Sequence, residues 1–303
     1  MGLTANQKLL IEAIAKNNIS KAKECAISCV EEDTTQKNAW WCKQYKKVLE
    51  SNASSMIELP YNLRDILAAE DVSNSFREGR YYLSERENAV LNTIMRMNKV
   101  SLKLMEMGIP YTNSTLLYGE SGTGKTTFGR YVAYKTGLPF CYLNFSGIMD
   151  SRMGATAQNI SHAFAYACEH PCVFMLDEID CISIKRSGGS SGSVGGEMAR
   201  ITITLLQEFE KLPNNLIIIG ATNRFDRIDE ALIRRFSIKH EVLSLSPDEK
   251  KELVRKYIAD IGITFTEQEM QQLLKKDMNQ SGIINELIRM IAWKLFDEAG
   301  IES

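Results

Sequence analysis

The octapeptide Gly119-Glu120-Ser121-Gly122-Thr123-Gly124-Lys125-Thr126 constrains this chain more than any other feature. It fits G-x-x-x-x-G-K-[ST] at every position, follows the apolar run Leu116-Leu117-Tyr118, and precedes a helical pattern from Phe128 to Thr136. A strand, this loop and then a helix is the context in which the motif cradles phosphates. Glycines let backbone N–H groups curl round an anion, and the helix turns its positive end toward it. Lys125 would bridge the β- and γ-phosphates of a nucleotide, and the Thr126 hydroxyl would ligate Mg²⁺. Thr127, next in line, is counted with the nucleotide-binding residues.

The sequence around the loop is that of an α/β fold. Leu116 to Tyr118, Phe140 to Leu143, Cys172 to Leu176 and Leu216 to Ile219 are short apolar runs separated by helical segments. Continuous apolar runs of this kind predict parallel strands buried on both faces. Residues from about 62 to 110 read as helical, ending at Pro110. From Ser246 onward the pattern is helix only, with an N-cap expected at Ser246-Pro247-Asp248. Residues 4–50 read as three short amphipathic helices, followed by a linker at Ser51-Asn52-Ala53-Ser54-Ser55. A Gly/Ser-rich stretch from Ser187 to Gly196 reads as a flexible loop.

Three more segments carry chemistry. Val173-Phe174-Met175-Leu176-Asp177-Glu178 is an apolar strand ending in two carboxylates, placed at the sheet edge where open α/β folds bind ligands. Asp177 would hold Mg²⁺ and Glu178 would polarise the attacking water. Ile217 to Thr222 ends at Asn223, which could reach that water or serve as a turn former. Arg234 and Arg235 end a short helix. They suit a solvated face, or the charge-neutralising arginine that one subunit of a nucleotide hydrolase lends to the next.

Composition removes several classes. Over 303 residues, 36 Lys and Arg stand against 38 Asp and Glu, a net charge of −2. That balance excludes a nucleic-acid-coating basic protein and an acidic disordered one. No run approaches the roughly 18 apolar residues that span a bilayer, and no signal peptide is read at the N-terminus, so a cytoplasmic, non-membrane protein is expected. The seven cysteines, Cys25, Cys29, Cys42, Cys141, Cys168, Cys172 and Cys181, lack C-x-x-C spacing, and no disulfide or metal framework is expected from them.

In order and spacing, the four motifs resemble those of the AAA+ ATPases over about residues 80–300. By that resemblance Gly119–Thr126 is the Walker A loop, Cys172–Asp177 with Glu178 the Walker B segment, and Asn223 the sensor-1 residue. Arg234 and Arg235 resemble the adjacent arginine-finger pair of the katanin- and spastin-like meiotic clade. Gly196-Glu197-Met198-Ala199-Arg200 resembles the start of the second region of homology. Gly282, after Ser281, matches the lid glycine near the adenine.

The resemblance implies an ATP- and Mg²⁺-dependent hydrolase, with a parallel α/β sheet sandwiched by helices. It implies a large ATPase domain over 56–245, a helical lid over 246–303 and a small all-α domain over 1–55. It further implies a homo-oligomeric ring, a hexamer, that acts on a protein substrate or a companion enzyme. The first pore loop would be Arg152-Met153-Gly154, with Arg152 where family unfoldases carry an aromatic. An aromatic grips an extended chain by flat apolar contact, whereas Arg grips by stem and charge. This favours limited remodelling, or gating, of one partner over processive threading. Trp40 and Trp41 are adjacent and unable to face one core together, so the N-terminal helices are either a docking module for a partner or pack one tryptophan in the bundle and the other against the ATPase domain. A nucleic-acid motor or helicase loader is the alternative, disfavoured by the charge balance and by the lack of an aromatic-plus-basic stacking segment.

Overall fold

The computed structural model describes residues 2–15, 19–33, 35–50, 57, 59–145, 155–182, 193–276 and 278–299. The chain divides into two compact units, Met1–Glu58 and Leu59–Ser303. Among the described residues no helix is long and apolar enough to cross a membrane.

The first unit contains helices α1 (Ala5–Ala15), α2 (Ile19–Glu32) and α3 (Ala39–Glu50). Ala13, Cys25 and Cys42 form its small buried centre. Such small side chains bury little apolar area, so polar ties across the surface supplement them. Asn6 donates to Glu32 Oε1 at 2.7 Å, and Lys46 pairs with Glu31 at 2.6 Å. Trp40 and Trp41 are both exposed, and the Trp41 ring lies 4.5 Å from that of Tyr45.

The second unit is built on six strands: β1 (Leu67–Glu70), β2 (Asn113–Tyr118), β3 (Phe140–Asn144), β4 (Val173–Asp177), β5 (Ile217–Thr222) and β6 (Ile238–Glu241). They run in the order β1-β3-β4-β5-β2-β6, all parallel except the edge strand β1. Tyr118 pairs with Thr222 and Leu176 with Gly220, so the carboxyl ends of β2, β4 and β5 finish side by side.

The strands expected from apolar runs are β2 to β5. Residues 62–110, read as helical throughout, instead hold β1, short 3₁₀ turns at Tyr61–Leu63 and Glu78–Arg80, and one long helix, α4 (Glu85–Glu106). Leu-Ala-Ala-Glu has little strand propensity of its own. It is held by pairing with β3, from Leu67 against Leu143 to Glu70 against Phe140, so tertiary context overrides propensity. Strand β6 also lies outside the expected runs, because Ile-Lys-His-Glu alternates between half-buried and exposed at the other edge.

Helices cover both faces of the sheet. On one, α4 and α5 (Lys125–Thr136) pack Val90, Leu91, Ile94, Phe128 and Val132 against Leu117, Met175 and Ile219. On the other, Phe164 of α6 (Ala155–Glu169) meets Phe174 edge-on at 5.1 Å. Phe209 of α7 (Ser193–Glu210) meets Phe236, just beyond the short α8 (Glu230–Ile233), at the same distance. Each fully buried Phe stabilises the fold by about 1.5–3 kcal/mol. Gly220 leaves room for one of them, since a Cβ there would stand 2.7 Å from Phe236 Cζ.

From Ser246 onward the described chain is helical: α9 (Pro247–Ile261), α10 (Glu267–Lys275) and α11 (Gln280–Ala299). The expected N-cap at Ser246 is present as a capping box with Glu249, and Thr266 with Glu269 repeats the device before α10. Val254, Leu273, Ile283, Leu287 and Ile291 give these helices a core of their own.

Candidate nucleotide-binding site

The phosphate loop joins β2 to α5. Gly119, at φ +138°, leaves no room for a side chain, since a Cβ would lie 2.4 Å from the Val242 carbonyl oxygen. Gly122, at φ +76°, lies where L-residues are strained, and a Cβ would meet Asn279 Nδ2 at 2.6 Å. Lys125 is 6% exposed, and its Nζ donates to the carbonyls of Gly119 at 2.8 Å and Glu120 at 2.7 Å. Burial pushes the Lys125 pKa below 10.5, and the carboxylates of Asp177 and Asp180 act in the opposite direction. A desolvated ammonium holding only carbonyl dipoles is a ready partner for an anion.

The Thr126 hydroxyl donates to Asp177 Oδ2 at 2.7 Å, joining the first turn of α5 to the end of β4. The other carboxylate oxygen, Oδ1, accepts from the Glu178 N–H at 2.9 Å. Glu178 has φ 54° and ψ 40°, the one left-handed non-glycine among the described residues. Such a conformation costs about 1–3 kcal/mol and is kept where the surroundings enforce it. Tyr142 stands beside these acids, its pKa pushed up to about 12 by burial first and then by Asp177 and Glu178. At the end of β5 the Thr222 hydroxyl donates to Asp180 Oδ1 at 2.7 Å and accepts from the Arg224 N–H at 2.9 Å.

A cavity of about 360 Å³ opens over this edge. Ser121 through Thr127, Asp177, Glu178 and Asn223 line it, so the structure brings most of the expected residues together. Opposite stand Arg80 and Tyr82 ahead of α4, with Gln280, Ser281 and Ile284 of the C-terminal helices. Gly119 and Glu120 are not among the lining residues, and their carbonyls hold Lys125. Gly282 is not among the lining residues, and its N–H donates to Asn279 Oδ1 at 2.9 Å. Arg234 and Arg235 are exposed outside the cavity wall, bonded to Glu230 and Glu210 respectively. Arg152, Met153 and Gly154 lie outside the described residues.

Sequence reasoning missed Arg80, Tyr82, Asp180, Asn279 and Gln280. Asn279, directly before the apolar periodicity of α11, carried a readable N-cap signal. Asp180 lay in the same acidic segment as Asp177 and Glu178, whereas Arg80, Tyr82 and Gln280 carried no signal, because their positions depend on contacts far along the chain.

The donor set fits a nucleoside triphosphate with a divalent cation. Thr126 Oγ1 and Asp177 Oδ2 form a close pair of oxygens, of the kind hard cations take. A parallel sheet with a phosphate loop after one strand, paired acids after another and helices beside the cavity defines a P-loop nucleotide-binding module. More narrowly, residues 115–243 match the model of the ATPase family associated with various cellular activities (AAA).

Among its relatives, the peroxisomal ATPase PEX6 of Eremothecium gossypii is 31% identical over 255 residues, 80% of this chain and 24% of that protein. The 26S proteasome regulatory subunit 8 homolog of Schizosaccharomyces pombe is 34% identical over 163 residues, 52% of this chain and 40% of the relative. The 26S proteasome subunit RPT4 of Saccharomyces cerevisiae is 39% identical over 147 residues, 47% of this chain and 33% of the relative. The chain thus spans between 24% and 40% of the length of these relatives.

Proposed function

We propose that this chain hydrolyses ATP as one subunit of a homo-oligomeric ring and uses the cycle to remodel or gate a partner protein. The observation that supports the reading is the 2.7 Å Thr126–Asp177 contact beside a cavity lined by residues 121–127 and Glu178. Lys125, held by two loop carbonyls, would turn to the β- and γ-phosphates. A bound Mg²⁺ would supply charge neutralisation at the phosphates, with Thr126 and Asp177 holding it. Glu178 would accept the proton of the attacking water, with Asn223 orienting that water from the neighbouring strand end.

Arg234 and Arg235, exposed and outside their own cavity, suit a role in the next subunit's site. A hexamer is the ring size this reading carries. The likeness to the katanin and spastin branch rests on the Arg234–Arg235 pair alone, whereas the relatives above are named for the peroxisome and the proteasome.

The names of those relatives support a protein substrate over a nucleic acid. The helices of residues 1–55 would dock the partner, since Trp40 is 74% and Trp41 50% exposed, and paired surface aromatics mark interaction sites. The large domain, 56–245, and the lid, 246–303, would enclose the nucleotide, and Arg152, Met153 and Gly154 would meet the partner at the pore.

The test is capture with Glu178→Gln protein held in ATP, with and without residues 1–55. A protein retained only by the full chain supports docking through the N-terminal helices. Nucleic acid retained without any protein would overturn the protein-partner reading.

A further inference from the structure

Three consecutive carbonyls of the phosphate loop are taken by three consecutive residues at the start of α11. Asn279 Nδ2 donates to the Ser121 carbonyl at 2.9 Å, the Ser281 N–H to that of Gly122 at 3.1 Å, and Gln280 Nε2 to that of Thr123 at 3.1 Å. Gln280 Nε2 also reaches the Leu243 carbonyl, at 3.2 Å, in the connector between β6 and α9. Its Oε1 is buried with no hydrogen-bond partner, so the side chain is held by its donor alone. Asn279 works at both ends, since its Oδ1 accepts the Gly282 N–H as an N-cap does while its amide faces the loop.

A trans peptide unit points its C=O and the following N–H in opposite directions. Fixing the carbonyls of Ser121, Gly122 and Thr123 on the α11 side therefore turns the N–H groups of Gly122, Thr123 and Gly124 the other way. Gly119 and Glu120 complete the pattern, their carbonyls taken by Lys125 Nζ and, for Glu120, by the Thr123 hydroxyl at 2.9 Å. The loop's carbonyls are thus occupied by the protein, and the N–H groups of Gly122, Thr123 and Gly124 are turned to the side an anion would take.

We propose that Asn279 and Gln280 are positioning residues for the nucleotide. They form a latch from α11 that sets the peptide planes of the phosphate loop, so that triphosphate affinity depends on contact between these helices and the loop. The proposal rests on the ATPase reading above and names residues that act on that site without touching the reacting atoms.

Asn279→Asp and Asn279→Ser keep an N-cap acceptor and remove the donor to Ser121, while Gln280→Leu removes the donor to Thr123 and leaves the cap alone. The measurement is the dissociation constant of a fluorescent ATP analogue for the full chain, with kcat at saturating ATP and the melting temperature of the nucleotide-free protein. The latch predicts a dissociation constant raised about five- to tenfold in all three variants, the worth of one hydrogen bond. It also predicts a raised KM, with kcat and melting temperature at the parental values. Parental affinity in Asn279→Asp and Gln280→Leu would overturn the latch, as would a lowered melting temperature with affinity per folded molecule unchanged. A parental protein that binds no nucleotide would overturn the ATPase reading itself, and the latch with it.

Discussion

The hydroxyl of Thr126 and the carboxylate of Asp177 meet at 2.7 Å, although 51 residues separate them along the chain. The contact aligns the start of α5 with the end of β4 and sets side by side the two oxygens that the proposed Mg²⁺ site would use. Asp177→Asn keeps the size and an acceptor but removes the charge. Hydrolysis should fall by about 10²-fold or more, with stability within about 1 kcal/mol of the parent. Turnover against Mg²⁺ concentration, beside urea unfolding, checks both, and parental turnover would contradict the role.

Glu178 sits in the left-handed region, and the strain is tied to its position rather than to its carboxylate. Glu178→Gly and Glu178→Ala should both abolish turnover. The glycine variant, free of the Cβ clash, should nevertheless be the more stable of the two by about 1 kcal/mol. Equal denaturant midpoints for the two variants would show that no strain is stored there.

Burial lowers the pKa of Lys125, and a triphosphate beside it would raise it again. In the pH window between the lowered value and the bound one, the complex holds more protons than the free protein. ATP binding should then take up protons and weaken as pH rises through that window. Calorimetry over a series of pH values up to 10.5, in buffers of different ionisation enthalpy, reads the uptake directly. Proton release, or none, would contradict it.

Arg234 is exposed and paired only loosely with Glu230, at 3.3 Å. If it serves the neighbouring site, Arg234→Ala and Glu178→Gln should each be inactive alone. Mixed in equal amounts they should regain about a quarter of parental turnover, because random assembly joins an intact Glu178 to an intact Arg234 at that fraction of interfaces. A mixture as inactive as its parts would remove Arg234 from the site.

What could be read from the sequence was what local pattern determines. The loop from Gly119 to Thr126, the acids Asp177 and Glu178, and Asn223 each follow an apolar strand, and the structure sets those strand ends side by side. Edge strands escaped because half of each faces away from the core. Leu67–Glu70 and Ile238–Glu241 lack the apolar run that marks β2, β4 and β5, and only pairing makes them strands. The latch escaped for another reason. Asn279 and Gln280 are ordinary polar residues near a helix start, and they meet Ser121 and Thr123 across more than 150 positions of chain. Arg80 belongs with them, since its 2.6 Å pair with Asp260 spans 180 positions.

The most direct test of the central claim is to measure bound nucleotide and phosphate release together, for the parent and for Glu178→Gln. The parent should turn ATP over and retain ADP. Glu178→Gln should bind ATP as tightly and keep it intact, with release slowed by about 10²-fold or more. Parental phosphate release from Glu178→Gln would contradict the assignment of Glu178, and a parent that neither binds nor cleaves ATP would contradict the whole account.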